Sequence, residues 1–485
     1  MGKKTLIVGA GVGGLATAAR LGFKGYDVSV FEKLNCCGGR NNLLVDRGFK
    51  FDMGPSFVMM PDFFKELFDY CGENIEDYLN LKVLERNYKI FYPDGESLTV
   101  YRDSNRTKEE LERFEKGARH GFDKFIFETR QIYELVKPLL YKCFTPFSAL
   151  DVKYWPLLIG LKPFQSYYQV AKKYFKSEKL LFAFTFEAMF MGVSPYRAPG
   201  FYSIITYTDH AEKIRHAMGG MYEIPLALEK LCKKFHVKLN YDSEISGIKE
   251  KAKELFIKSE FGDISADNIV VNADYAYTQE VLLKRKIPKF NYSCSVFLLY
   301  LGLKRKLSGF EHHNLFFSSD LNKNLKEIFS DKVMPDDPSF YVHVPTVTDE
   351  SLAPPGKEIF YILITVPNMD NNNIDFNAFE DKIRKLVFSK INKFLGCRLE
   401  DLIEVEYKFY PQDFITRYNI KNAATFGLSH NLMQSAFFRP ANIDPKIGNL
   451  YYAGASTQPG GGLPVVIAGS RIVADLITKD ANLRK

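Results

Sequence analysis

The sequence predicts an α/β fold in which a parallel-sheet domain, assembled from separated stretches of chain, is paired with a discontinuous second domain of mainly antiparallel sheet plus helices. Three observations predict it. A strand, a glycine turn, a helix and a second strand follow one another at the N-terminus, and a second glycine turn joins a strand to a helix near the C-terminus. Between them lies a block of extended runs rich in β-branched and aromatic residues.

The N-terminal segment Thr5-Leu-Ile-Val-Gly-Ala-Gly-Val-Gly-Gly14 leads into an alanine-rich helix ending at Gly25, and Asp27-Val-Ser-Val-Phe-Glu32 is the next strand. This βαβ unit has the spacing of a Rossmann-like dinucleotide site. Gly9 permits the tight turn, and Gly11 lets backbone approach a pyrophosphate. Gly14 lets the helix lie close to the strand with its N-terminal N–H groups aimed at the anion. Glu32 is placed to accept hydrogen bonds from a ribose. A few residues on, Gly38-Gly39-Arg40 offers a second close backbone approach and a cation for phosphate. Such glycines also turn plain corners; the strand before, the helix after and the acid beyond are what point to a dinucleotide.

Further along, Pro61 opens a helix through about Tyr70, Ile90-Phe-Tyr-Pro-Asp-Gly95 reads as a hairpin, and 108–137 has helical spacing. From Phe144 to Phe190 aromatic residues, among them Phe147, Trp155, Phe164, Tyr167, Phe175 and Phe184, crowd a stretch punctuated by lysines. This is either a helical core or a membrane-contact segment with Trp and Tyr at headgroup level. Met218-Gly-Gly-Met221 and the following helix, then Val237-Lys-Leu-Asn-Tyr, return to the first sheet. Glu254 to Asp263 is a hairpin, and Ile269-Val-Val-Asn-Ala-Asp274 is a buried strand. Runs at 295–303, 339–345 and 359–366 predict the antiparallel sheet, read as the floor of a cavity, with an amphipathic helix over 378–394. Finally Asn449-Leu-Tyr-Tyr-Ala-Gly454 is a strand leading to Pro459-Gly-Gly-Gly462 and a helix beginning near Leu463-Pro464, where proline in the first turn lacks only an N–H that would be unpaired anyway.

Gly9 to Arg40, Phe51-Asp-Met-Gly-Pro-Ser-Phe-Val-Met-Met-Pro61 and Tyr452-Ala-Gly-Ala-Ser-Thr-Gln-Pro-Gly-Gly-Gly-Leu-Pro464 together resemble the bacterial-type carotenoid desaturases, the phytoene and dehydrosqualene desaturase family. The resemblance runs essentially end to end. It implies an amine-oxidase-like architecture with FAD as cofactor, its ADP half at Gly9 to Glu32 and its isoalloxazine near Gly454, Gly460, Gly461, Gly462 and Leu463. It further implies residues 1–90, 215–280 and 445–485 as the FAD-binding domain and 91–214 with 281–444 as the substrate and membrane-contact domain. The implied reaction is hydrogen removal from a linear polyene. A carotenoid oxidase or isomerase of the same superfamily, such as a diaponeurosporene oxidase, would share every glycine motif. A non-enzymatic prenyl-binding protein resembling the GDP-dissociation inhibitors would share the fold but need no flavin.

Length and composition bound the rest. At 485 residues, 46% of them hydrophobic, two domains are expected. The charge of +7 is spread along the chain, too diffuse for a nucleic-acid partner but suited to an anionic lipid surface. The first strand begins almost at once, leaving no room for a signal peptide, and no long apolar run predicts a transmembrane helix. The seven cysteines form no metal or disulfide pattern, so no metal site and a reduced cytoplasmic setting are expected, with peripheral attachment to a membrane. A homo-oligomer stays open. No residue announces itself as an acid or base: His343, Glu187 and Arg197 are polar residues in apolar or turn surroundings, and each reads first as structural.

Overall fold

The structure, a computed structural model, describes residues 3–145, 148, 151–155, 160–252, 254–370 and 374–483. Five strands form one parallel sheet in the order Leu450–Tyr452, Asn268–Val271, Lys4–Val8, Asp27–Phe31, Lys238–Asn240. Thr5-Leu-Ile-Val8 is apolar without alternation because both faces of the sheet are covered. Ile7 packs among residues of the helices Val12–Phe23, Glu223–Lys234 and Leu463–Leu483. Leu6 and Val8 pack on the other side with Ile248, Leu255 and Ile257 of a three-stranded antiparallel sheet, Gly247–Lys251, Glu254–Ser259 and Gly262–Ala266. The carboxyl ends of these strands, where an open α/β sheet places its ligands, carry both glycine turns.

The second sheet has seven strands in the order Ile403–Phe409, Ser295–Leu303, Glu358–Val366, Phe340–His343, His313–Phe316, Arg86–Phe91, Ser97–Tyr101. Every neighbouring pair is antiparallel except His313–Phe316 with Arg86–Phe91. The boundary expected at residue 90 therefore falls inside a strand, because Arg86–Phe91 pairs in this sheet. One face of the sheet buries Leu299, Leu301, Val342 and Ile362 under Ile383, Val387 and Ile391 of the helix Phe376–Leu395. Val296, Leu298 and Tyr300, with Tyr361, Leu363 and Thr365, point to the other face and into a cavity. That period of two is why a run as apolar as Ser295–Leu303 can serve a core and a cavity at once.

The helical stretch expected over 108–137 is two helices, Ser104–Glu112 and Ala118–Val136, parted at Gly117, whose φ of +87° a side chain would disfavour. In the aromatic stretch, Tyr167, Phe175, Phe182, Phe184 and Phe186 are core side chains, whereas Trp155 (55%) and Phe164 (89%) are exposed. Phe147 lies outside the described residues. Among the described residues no helix is long and apolar enough to cross a membrane.

Candidate active site

The first glycine turn closes by hydrogen bonds from strand to strand. Gly9 N–H donates to Phe31 O at 2.8 Å, and Gly38 N–H donates to Ala10 O at 2.9 Å. Gly9 (φ +100°) and Gly38 (φ +101°) take left-handed conformations that the turns require. Gly14 stands elsewhere: a Cβ there would fall 2.1 Å from Gly9 O, so it is the residue that lets the helix Val12–Phe23 meet the strand. Glu32, buried at the end of the second strand, accepts from Ala10 N–H (2.8 Å, Oε2) and Leu34 N–H (2.9 Å, Oε1). Burial raises its pKa, while these two donors pull it down. Arg40 donates from Nη1 to Thr425 O at 2.7 Å.

The second turn runs from the strand Leu450–Tyr452 through Gly454 (φ +114°), Gly460 (φ +149°) and Gly462 (φ +103°) into the helix Leu463–Leu483. Around Gly462 nothing lies within 4 Å of a would-be Cβ. Gly461 N–H donates to His430 Nε2 at 3.1 Å, and His430 Nδ1 lies 3.1 Å from Met191 O. A carbonyl only accepts, so Nδ1 carries the proton and Nε2 is the acceptor; burial lowers the ring pKa and keeps it neutral. Beside it, the buried guanidinium of Arg439 donates to the carbonyls of Thr457, Gln434, Leu428 and Ala455, tying the loop before the turn to the turn itself. Burial pushes its pKa down to about 10, still charged at neutral pH.

One cavity of about 630 Å³ joins the two turns. Gly9, Gly11, Glu32, Gly38, Gly39, Arg40, Gly454, Gly460, Gly461, Gly462 and Leu463 all line it, whereas Gly14 does not. Ser243, Glu244 and Ile245, just past the strand Lys238–Asn240, line it as well. Beyond the second turn the wall is mostly carbon: Leu139, Phe186, Phe190, Phe201 and Phe437, with the alternating residues of the seven-stranded sheet, of which Tyr300, Tyr361 and Thr365 add hydroxyls.

A match to the family described as flavin containing amine oxidoreductase extends over residues 12–478. The chain belongs to that family. Within it the chain is a carotenoid desaturase by similarity over nearly its whole length. It is 37% identical to the zeta-carotene-forming phytoene desaturase of Myxococcus xanthus, covering 98% of this chain and 93% of the relative. It is 34% identical to the 4,4'-diapophytoene desaturase (4,4'-diaponeurosporene-forming) of Staphylococcus haemolyticus, covering 98% of each. A solved putrescine oxidase shares the fold at a TM-score of 0.67 with 13% identity, covering 100% of both chains.

The family's cofactor is FAD, and the cavity fits it. An extended dinucleotide needs two backbone cradles facing one continuous space, and side chains at these glycines would intrude: a Cβ on Gly39 would lie 3.3 Å from Gly11 Cα, and one on Gly462 would project into open space. The three polar residues singled out in the sequence are not brought to the cavity. Arg197 is exposed. Glu187 is buried behind the wall, accepting from Thr206 Oγ1 (2.7 Å) and Tyr167 Oη (2.5 Å), beside Asp209, whose carboxyl is held neutral by burial and by Glu187. His343 sits among other histidines away from the lining. His430 and Arg439 escaped sequence reading because neither has a partner at motif spacing; only the fold brings them to the glycine turn.

Proposed function

We propose that this FAD-dependent carotenoid desaturase removes hydrogen from a linear polyene precursor, phytoene or its thirty-carbon analogue dehydrosqualene. The observation that carries the reading is the single cavity that begins between two glycine cradles and continues into a chamber walled by aromatic and aliphatic carbon. FAD, when bound, supplies the acceptor for a hydride from an allylic carbon. Gly9, Gly11 and Glu32 would hold its ADP half, with Gly14 setting the helix that points N–H groups at the pyrophosphate. Gly38, Gly39 and Arg40 would flank the phosphates. Gly454 and Gly460 to Leu463 would receive the ring, where the N-terminus of Leu463–Leu483 stabilises negative charge by about 0.3–1 kcal/mol, up to ~2 when partly buried. His430 fixes the Gly461 N–H, and Arg439 fixes the loop behind it. The chamber orients the polyene by shape, and walls that are mostly carbon disfavour water there.

The same reading includes peripheral attachment to a membrane on its cytoplasmic side, because so apolar a precursor resides in lipid. Exposed apolar side chains border the carbon end of the cavity: Phe164 follows Pro163, Met433 follows Leu432, and Phe438 is itself both lining and 43% exposed. FAD-loaded protein supplied with phytoene or dehydrosqualene in liposomes tests the reaction. Extracted products with lengthened chromophores are expected. Products carrying oxygen would replace the reading by an oxidase, and a protein that never binds flavin would replace it by a prenyl carrier.

A further inference from the structure

The geometry points to a divalent transition-metal site of the zinc class built from His216, His312 and His343, where the short strand Arg215–Ala217 meets the seven-stranded sheet. One ring nitrogen from each lies within 4.8 Å of the others, and all three side chains are buried. The three come from separate elements: His216 from the short strand Arg215–Ala217, His312 from just before His313–Phe316, and His343 from the end of Phe340–His343. The site is distinct from the flavin cavity, since none of the three lines it.

The polar bookkeeping of the cluster favours an ion over a bare hydrogen-bonded group. His343 Nε2 and His312 Nε2 stand 2.9 Å apart, so without an ion one ring must be the Nε2–H tautomer and donate to the other. That leaves His216, whose side chain is fully buried, with Nδ1 unpaired and only a long 3.6 Å approach of Nε2 to Asp349 Oδ2. An ion uses all three. Imidazole nitrogens bind zinc at about 2.0–2.1 Å in a tetrahedron, which separates neighbouring ligands by about 3.3 Å, so the Nε2 pair at 2.9 Å needs a few tenths of an ångström of adjustment and His216, within 4.8 Å, closes by at most about 1.5 Å. The outer groups are those a metal-bound imidazole uses. His312 Nδ1 lies 2.8 Å from Thr348 Oγ1, and His216 Nε2 lies 3.6 Å from Asp349 Oδ2, so His216 would ligate through Nδ1 and turn Nε2–H to the carboxylate.

Charge and softness agree. All three rings are buried, and neutral imidazole is the form that ligates. Asp349 sets a buried carboxylate beside His216, and Lys82 is the cation felt at that ring. An all-imidazole set suits zinc-class ions and not magnesium or calcium, which take oxygen. The role is structural. Asp349 also accepts from Gly219 N–H at 2.6 Å, and Asp52 accepts from Met221 and Tyr222 N–H at 2.9 and 3.1 Å, so the ion would clamp the loop that enters the helix Glu223–Lys234 against the second sheet.

Elemental analysis of the flavin-loaded protein, purified without a histidine tag and dialysed against metal-free buffer, is expected to find about one zinc-class ion per chain. The ion is expected to disappear from His216→Gln and from Asp349→Asn to be retained more weakly. Because a buried variant can fail to fold, chelator-stripped wild-type protein is melted with and without added zinc or cobalt. A higher Tm with either ion, and a cobalt absorption band of tetrahedral nitrogen ligation in the difference spectrum, are expected. Wild-type protein that holds no metal as purified and whose Tm is indifferent to zinc, cobalt and nickel would overturn the site, leaving three neutral histidines.

Discussion

Replacing Gly14 by alanine probes the first cradle where it is tightest. The new methyl would lie 2.1 Å from the carbonyl oxygen of Gly9, a backbone atom that cannot swing aside. A carbon–oxygen contact needs about 3.3 Å, so the start of the helix must retreat by roughly 1.2 Å. That helix has ten consecutive buried residues, Val12 to Leu21, so the retreat strains a packed core at a cost of about 1–3 kcal/mol. With an unfolding entropy of roughly 2.1 cal/mol/K per residue, the 485-residue chain melting as one unit loses only about 1–3 °C in Tm. The larger effect is on the cofactor, because the retreat carries the N-terminal N–H groups away from the anion they should meet. Calorimetry and flavin absorbance per chain measure the two effects. Gly25→Ala serves as control: its φ of +81° strains alanine by about 1–2 kcal/mol, yet nothing lies within 4 Å, so flavin content should hold. A Gly14→Ala protein with wild-type flavin occupancy and melting point would refute the packing role.

Three further outcomes are expected. His430→Phe removes the acceptor for Gly461 N–H, costing about 1–3 kcal/mol at the turn, so FAD should bind at least several-fold more weakly by fluorescence titration, with His430→Gln partly restoring it; equal affinity in both would separate His430 from the cofactor. The buried carboxyl of Asp52 is raised from 3.8 to about 7 against the pull of two backbone donors. Unfolded chain sheds this proton above about pH 4 while folded chain keeps it to near 7, so its contribution to stability is full below that window, declines through it at up to about 1.4 kcal/mol per pH unit, and is flat above. Asp52→Asn should therefore show a shallower fall in Tm from pH 4.5 to 7, and superimposable profiles would refute the assignment. Trp155 is the sole tryptophan and is 55% exposed, so its emission should shift blue when vesicles capture the protein; captured protein with unshifted emission would place the lipid contact elsewhere.

What could be read in the sequence was whatever the backbone decides locally. Gly9 and Gly11 announce themselves because a strand, a turn and a helix must follow within a few residues, and the helix at Pro61 falls where its proline puts it. The β-branched and aromatic content of 295–303 identified a strand, although a run this apolar conceals which residues face the cavity until its partner strands are known. Side-chain groupings across long separations were not legible. His216, His312 and His343 are far apart in the chain, and their meeting depends on the short strand Arg215–Ala217 lying against the seven-stranded sheet. The aromatic stretch mixed two populations, since Phe184 and Phe164 are alike in composition and opposite in burial.

The scarcity of polar groups in the chamber also bears on which polyene it prefers. Each buried methylene contributes about 0.8 kcal/mol, so an open greasy channel would always bind the longer precursor more tightly. A preference for thirty carbons over forty can therefore arise only from a closed end that refuses the extra length. Such a stop has to be built from bulky side chains on rigid elements, which the seven-stranded sheet and the buried aromatic cluster around Phe186 and Phe190 provide. Phe190→Ala enlarges the chamber without touching either glycine cradle. Its products, compared with those of the unaltered protein on the two precursors, show whether that wall measures length. A relative gain on the forty-carbon substrate identifies Phe190 as part of the stop. An unchanged ratio places the stop at another part of the wall.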